Sequence, residues 1–440
     1  MNDILIPYLK AAFSLSFFEA MMVQFAFFLA YTLGSVVYIV ITAVSGDPIA
    51  RIGYQNGIVL GLFISGIGAL LFYPAGAFLS YPLFLGALFI LALGFTMLQI
   101  SANPYVTVLG PESTASSRLN LSQGFNSLGT TLAPLIGGYL VFSGNSAPGV
   151  DNVRVPYLVF AVALFALGLV FLVIKLPKLH SNTAKAGLEA LRYLHVRYGM
   201  LAIFCYVGAE VSVGSLLISY FALPEIAGLS EAKASTYVAI YWGGLMIGRF
   251  LGAISLGDIP SVAKKVLYMA LAMVAALLVI FLAVHTKDRS FGLAEIWPFA
   301  LLALANFGAF FLGRSLPART LMAFSLICVG LLLTTMFTTG GVAMWAVLGV
   351  GLFNSIMWSN IFSLAIEGLG ELKSQASSLL VMMIMGGALL PPAQGAIADW
   401  IGVQGSYALP ALAYLYLAWY GFSGYRIHPV SHLKKEKNNA

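Results

Sequence analysis

The chain has 440 residues, 60% of them hydrophobic and only 9% charged, with a mean hydropathy of +0.94. A soluble domain carries about a quarter charged residues, so this composition excludes one and indicates a polytopic membrane protein. The formal net charge of +6 does not point to nucleic acid, because the basic residues stand singly in short loops between apolar runs. Cys205 and Cys328 lie inside apolar runs, which argues against a disulfide framework or a thiolate metal site. The opening MNDILIP reads without the basic region of a cleavable signal peptide.

A helix needs about 20 apolar residues to cross about 30 Å of hydrocarbon. Runs of that length fall at 17–43, 58–78, 83–107, 118–142, 155–175, 199–222, 236–256, 265–284, 295–313, 319–338, 342–366, 373–396 and 403–424, which makes thirteen predicted spans. Ahead of them, Met1 to Leu9 is a fragment that reaches only about 14 Å as a helix. It reads as the lower part of a truncated first span, with Met1 an internal methionine of a longer reading frame. Intact mass of the protein made from its own locus decides this.

Placing the C-terminus in the cytoplasm and alternating puts all but Lys10, Arg154, Lys233, Lys287 and Arg289 of the 22 basic residues on the cytoplasmic side. With the first span completed, both termini are cytoplasmic, and the expected location is a cell inner membrane. The segment 176–198 is the longest and most basic loop and divides an N-terminal helical half, 1–175, from a C-terminal half, 199–424; 425–440 reads as a cytoplasmic tail. Each half carries a similar phrase: Ala115-Ser116-Ser117 before Pro134-x-x-Gly137, and Ala376-Ser377-Ser378 before Pro392-x-x-Gly395. Two six-helix halves around a basic loop is the layout of the major facilitator superfamily, an all-α membrane fold with its site between the halves at mid-membrane.

Polar side chains inside the spans are costly unless paired, so they nominate the site. Gln99 and Asn103 share a helix face at four-residue spacing, and Asn120, Gln123 and Asn126 follow at three-residue spacing on the next helix. Pro104 and Pro134 are expected to interrupt these two helices and free backbone carbonyls. Gln24, Gln99, Asn103, Gln123, Asn126, Asn354 and Asn360 offer donors and acceptors suited to a hydroxylated ligand, with helix–helix adhesion as the competing reading. Of these, Gln99, Asn126 and Asn354 are expected to face the ligand. Trp358 shares a face with Asn354 and suits an aromatic floor under a ligand, or lipid-facing packing.

Asp3 and Glu210 are the candidate coupling acids, since an ionised carboxylate near mid-bilayer costs about 2.5–3.5 kcal/mol and is kept for a function. A carboxyl that holds a proton in one state and releases it in another couples ion flow to substrate movement. The competing reading for Glu210 is an internal salt bridge, for example with Arg249; for Asp3 it is an exposed N-terminal residue. Asp47 and Arg51, and likewise Glu112 and Arg118, stand in turns where they read as gating charges or as solvated loop residues. Gly243-Gly244 and Gly386-Gly387 are expected to permit close helix approach. No histidine pair has metal-ligand spacing and no phosphate loop or nucleophile elbow is present, so neither a cofactor nor an enzyme is indicated.

The stretches NDILIPYLKAAF, VQFAFF and QISANPYVTVLGPESTASSRLNLSQGFNSLGTTLAPLIGG resemble the fucose–galactose–glucose:cation symporter family of the major facilitator superfamily. GLFNSIMWSNIFSLAIEGLG and SSLLVMMIMGGALLPPAQGAIAD resemble the second-half phrases of that family. The chain is most similar to the bacterial glucose/galactose transporter branch, in which two extra spans follow the eighth, here 265–284 and 295–313. The resemblance implies hexose import by cation symport, with a proton favoured over sodium, through alternating access in the lipid bilayer. It assigns Asp3 to the first-helix acid that takes part in coupling and sugar binding, and Asn126 to a sugar-contacting amide. Gln99 stands where fucose-transporting members carry a second acid, whereas Glu210 in CYVGAEVSVGS follows the glucose/galactose type. N-acetylglucosamine or L-fucose symport, export of drugs or metabolites, and a membrane-embedded sensor or enzyme are the alternative readings.

Overall fold

A computed structural model describes residues 2–45, 48–109, 115–142, 151–177, 189–314, 316–369 and 373–427, and among these it contains helices and turns but no strand. Hydrocarbon offers backbone groups no hydrogen-bond partner, so an apolar chain that crosses it satisfies them within helices. The first half holds α1 (Asn2–Phe13), α2 (Phe17–Ser45), a short α3 (Pro48–Ile52), α4 (Tyr54–Leu70) continued by α5 (Phe72–Ala77), α6 (Tyr81–Val108), α7 (Ala115–Phe142) and α8 (Asp151–Val173). The second half holds α9 (Leu194–Ala222), α10 (Glu231–Ser255), α11 (Val262–Lys287), α12 (Leu293–Leu312), α13 (Pro317–Phe337), α14 (Gly340–Asn354), α15 (Met357–Ile366), α16 (Lys373–Met382), α17 (Gly386–Ser406) and α18 (Ala408–Trp419).

All thirteen expected spans fall on helix, and eleven segments of the described residues are long and apolar enough to cross a membrane. Some spans are assembled from two pieces. The boundary expected between 396 and 403 is a kink at Gly402, whose φ of 85° suits a residue without a Cβ. The expected interruptions at Pro104 and Pro134 do not occur: α6 and α7 run through both positions. A proline removes one donor and one intrahelical bond, while leaving the helix there would strand several polar groups in hydrocarbon.

The interruption lies instead between α14 and α15, at Ser355 and Ile356. The carbonyls loosened there are taken by side chains. Leu352 O accepts from Asn306 Nδ2 at 3.1 Å and from Ser355 Oγ at 2.8 Å, and Ser355 O accepts from Arg249 Nε at 3.2 Å. Gly248 makes room for the turn, because a Cβ there would collide with Ser355 Oγ.

The two halves meet along a seam where α7 packs on α10 and α2 packs on α17. The glycine pairs behave as close-approach points. A Cβ on Gly386 would collide with Phe204 O, one on Gly387 would come within 2.9 Å of the Phe28 ring across the seam, and one on Gly244 would sit 2.9 Å from Leu352 N. Gly386→Val is therefore expected to lose about 1–3 kcal/mol of stability to overpacking. Gly330→Ala, with nothing within 4 Å of its Cβ, is expected to melt with the parent protein. Thermal unfolding in detergent compares the two; equal midpoints would contradict this packing.

Candidate functional site

Glu210 occupies the middle of α9, and its Oε1 lies 3.7 Å from Nη2 of Arg249 on α10. Both side chains are only 11% exposed. A guanidinium carries five donors and keeps its charge, so at this depth it gathers acceptors. Besides the contact to Ser355 O, Arg249 Nη1 donates to Ser127 Oγ at 2.5 Å and to Gln123 O at 3.4 Å, both on α7 of the opposite half. Tyr206, one turn before Glu210, sits beside both charges, and the Tyr241 hydroxyl donates to Glu210 O at 3.3 Å. One arginine thus joins the acid of α9, the break between α14 and α15, and the first half of the molecule.

The Glu210–Arg249 pair anticipated as the competing reading is present, and it is part of a larger network rather than a closed pair. Around it the candidate amides divide. Asn354 is fully buried at the break, and among the described residues neither its Oδ1 nor its Nδ2 has a hydrogen-bond partner. Trp358 is half-buried on α15, its ring 6.5 Å from Tyr206 and stacked on Phe362 at 6.1 Å. Gln123 is partly buried and gives its carbonyl to Arg249, while Asn126 is exposed.

The three-residue steps on α7 explain that split. Three residues advance a helix by about 300°, so each step lags about 60° behind the last. Asn120 consequently points into the seam, where its Oδ1 accepts from Ser359 Oγ at 2.6 Å, and Asn126 does not follow it. The remaining amides have partners of their own. Gln24 Nε2 donates across the seam to Ser215 Oγ at 2.9 Å, Asn103 Nδ2 donates to Gln99 Oε1, and Asn360 Nδ2 donates to Pro317 O at 3.2 Å.

Arg51 is exposed on α3, and Arg118 Nε on α7 donates to Val106 O on α6 at 3.2 Å. Asp47 and Glu112 lie outside the described residues; Asp3 lies on α1, and its side chain is likewise outside them. Sequence reasoning passed over Ser127 and Asp399. The Asp399 carboxylate accepts from the backbone N–H groups of Phe17 and Phe18, each at 3.0 Å, at the start of α2. An acid on the N-terminus of a helix is favoured by its unpaired amides and its dipole. Asp399 stood between two predicted spans, and nothing in its local sequence announced the helix start it caps.

Residues 1–318 match the family described as Major Facilitator Superfamily. A glucose/galactose transporter of Brucella abortus is 41% identical, over 96% of this chain and 90% of its own length. A putative glucose/galactose transporter of Helicobacter pylori is 37% identical, over 97% and 93%. An L-fucose-proton symporter of Escherichia coli is 30% identical, over 94% and 86%. The crystal structure of the E. coli fucose:proton symporter superimposes with a TM-score of 0.64 at 29% identity, covering 96% of this chain and 94% of that one. A multi-span membrane chain with polar side chains joined across a two-half seam, and with these relatives, is a transporter rather than an enzyme: it belongs to the major facilitator superfamily, in the group of glucose/galactose transporters and L-fucose–proton symporters.

Proposed function

We propose that the protein imports a hexose of the glucose/galactose type into the cell across the inner membrane, by proton symport through alternating access, with both termini cytoplasmic. The observation that carries this reading is the Glu210–Arg249 pair tied across the seam to Ser127. An ionised Glu210 competes with Ser127 and Gln123 O for one guanidinium. A proton on Glu210 removes the charge from that competition, so Arg249 turns to the neutral acceptors of the other half and to sugar hydroxyls. Asn354, with both amide atoms free, Asn126 and Trp358 are the side chains that would meet the sugar, with Gln99 and Asn103 opening their mutual contact to join them. Asp3 would share the coupling role. The names of the relatives support a hexose, and that of the E. coli relative supports a proton. Sugar and proton must together bind better to the closed state, since equal binding to both states shifts nothing.

Cells lacking their own hexose carriers are expected to take up labelled glucose saturably when they express the protein. Galactose should compete, and a protonophore should collapse uptake in low sodium. Absence of uptake of any sugar by a protein shown to reach the membrane would favour an exporter. Glu210→Gln is expected to abolish uphill accumulation while sparing sugar exchange; equal loss of both, with normal folding, would reduce Glu210 to a binding residue.

Arg249→Ala leaves a buried carboxylate without its partner and is expected to cost about 3–5 kcal/mol of stability. Adding Glu210→Gln should restore most of that loss, as read by thermal unfolding. At the far end of the seam, Asp399→Ala removes the clasp on α2. Ser219 lines the opening there with Pro7, Lys10 and Phe17. A cysteine at Ser219 should then react several-fold faster with an aqueous maleimide; an unchanged rate would show that the clasp holds nothing shut.

A further inference from the structure

The helices α11 and α12 flank α10, α12 supplies the Asn306 brace to the break beside Arg249, and their outward faces are apolar. Leu267, Leu271, Val274 and Leu278 on α11 are exposed, as are Leu301 and Leu304 on α12. Where this pair meets the end of α10 there is a cleft of about 170 Å³. Val262, Val266, Phe310 and Phe311 form its walls, and Lys265 and Arg314 supply two cations. The cleft lies at the terminus of three membrane helices at once, because Ser255 ends α10, Val262 begins α11 and Leu312 ends α12. That level is the boundary between hydrocarbon and water, on the side to which the basic loops are assigned.

We propose that this cleft binds an anionic phospholipid of the cytoplasmic leaflet, its acyl chain against Val266 and Phe310 and its phosphate between Lys265 and Arg314. Several observations favour a lipid as the occupant. Val262, the first residue of α11, is 73% exposed at the rim, so the slot is open at the level where the helices end. Arg314 is exposed, with its backbone in the left-handed region at φ 48°, at the turn that ends α12. A guanidinium and an ammonium over an apolar slot match the two chemistries of a phospholipid, and cytoplasmic leaflets hold the anionic ones. A choline headgroup would bring a third cation to the rim and is disfavoured.

The site also touches the transport machinery. Lys265 Nζ donates to Ser255 O at 2.9 Å, the C-terminal carbonyl of the helix that carries Arg249. A phosphate held by Lys265 would anchor that end of α10, and the added helix pair would act as a lipid-held brace for the moving seam.

The test uses the full chain, purified in mild detergent and exposed to phosphatidylglycerol or phosphatidylcholine, with bound lipid counted by native mass spectrometry. Two interfacial cations at about fivefold each predict roughly twenty-five-fold preference for phosphatidylglycerol. Lys265→Gln/Arg314→Gln should reduce that preference to near unity, and Lys233→Gln, at the opposite end of α10, should leave it unchanged. Val266→Trp fills the slot with both cations in place and should also abolish it, while Lys265→Arg should keep it. Equal retention of the two lipids by the parent protein, or undiminished preference in the double variant, would overturn the proposal. Complete displacement of the lipid by inorganic phosphate would overturn it too, by marking a site for a free anion.

Discussion

An arginine cannot shed its proton at the centre of a membrane, and the arrangement of this molecule follows from giving Arg249 enough acceptors. The guanidinium draws in a carboxylate from α9, a backbone carbonyl from the break between α14 and α15, and a hydroxyl and a carbonyl from α7. Taking two charges out of water costs several kcal/mol per ion, which their attraction recovers only when the remaining donors are also met. A pair at 3.7 Å with further hydrogen bonds on the arginine side satisfies that condition while leaving the carboxylate lightly held. Such a carboxylate is suited to change its proton occupancy, and the arginine is suited to pass the change across the seam.

The broken helix is the second half of the same device. Non-helical backbone is tolerated at membrane depth only where protein groups replace the missing bonds. Asn306, Ser355 and Arg249 do so here, and the arginine therefore senses the geometry of the break as well as the charge of Glu210. Asn354, which ends α14, is left with an unpaired buried amide. An unpaired amide of that kind costs about 1–3 kcal/mol, a cost that a sugar hydroxyl or a water would remove. Of the two extra spans, α12 supports the break through Asn306.

The spans, the two-half layout and the family were legible because apolar length and loop charge are local properties of a membrane sequence. Glu210 and Arg249 were legible as costly intramembrane charges, and their pairing was one of two readings on offer. Other features were not local. Whether Asn120, Gln123 and Asn126 share a partner depends on a drift of about 60° per step that spacing by three conceals. Ser127 is an ordinary residue in sequence and matters only because α10 lies against it. The prolines misled because a membrane helix keeps its remaining bonds where a soluble one would stop, whereas the true break at Ser355 carries no proline and is stabilised by groups distant in sequence. Asp399 acts on a helix start 382 positions away, which no local pattern encodes.

The most direct test of the central claim is a double-mutant cycle on hexose affinity, read from tryptophan fluorescence of the purified protein, for Glu210→Gln, Ser127→Ala and both together. These two side chains do not touch each other and share Arg249. If the guanidinium carries the state of the acid to the opposite half, the two changes will fail to add by about 1 kcal/mol or more, a fivefold discrepancy in Kd. Additivity within about 0.3–0.5 kcal/mol would show that the acid and the opposite half act independently, and would contradict the account.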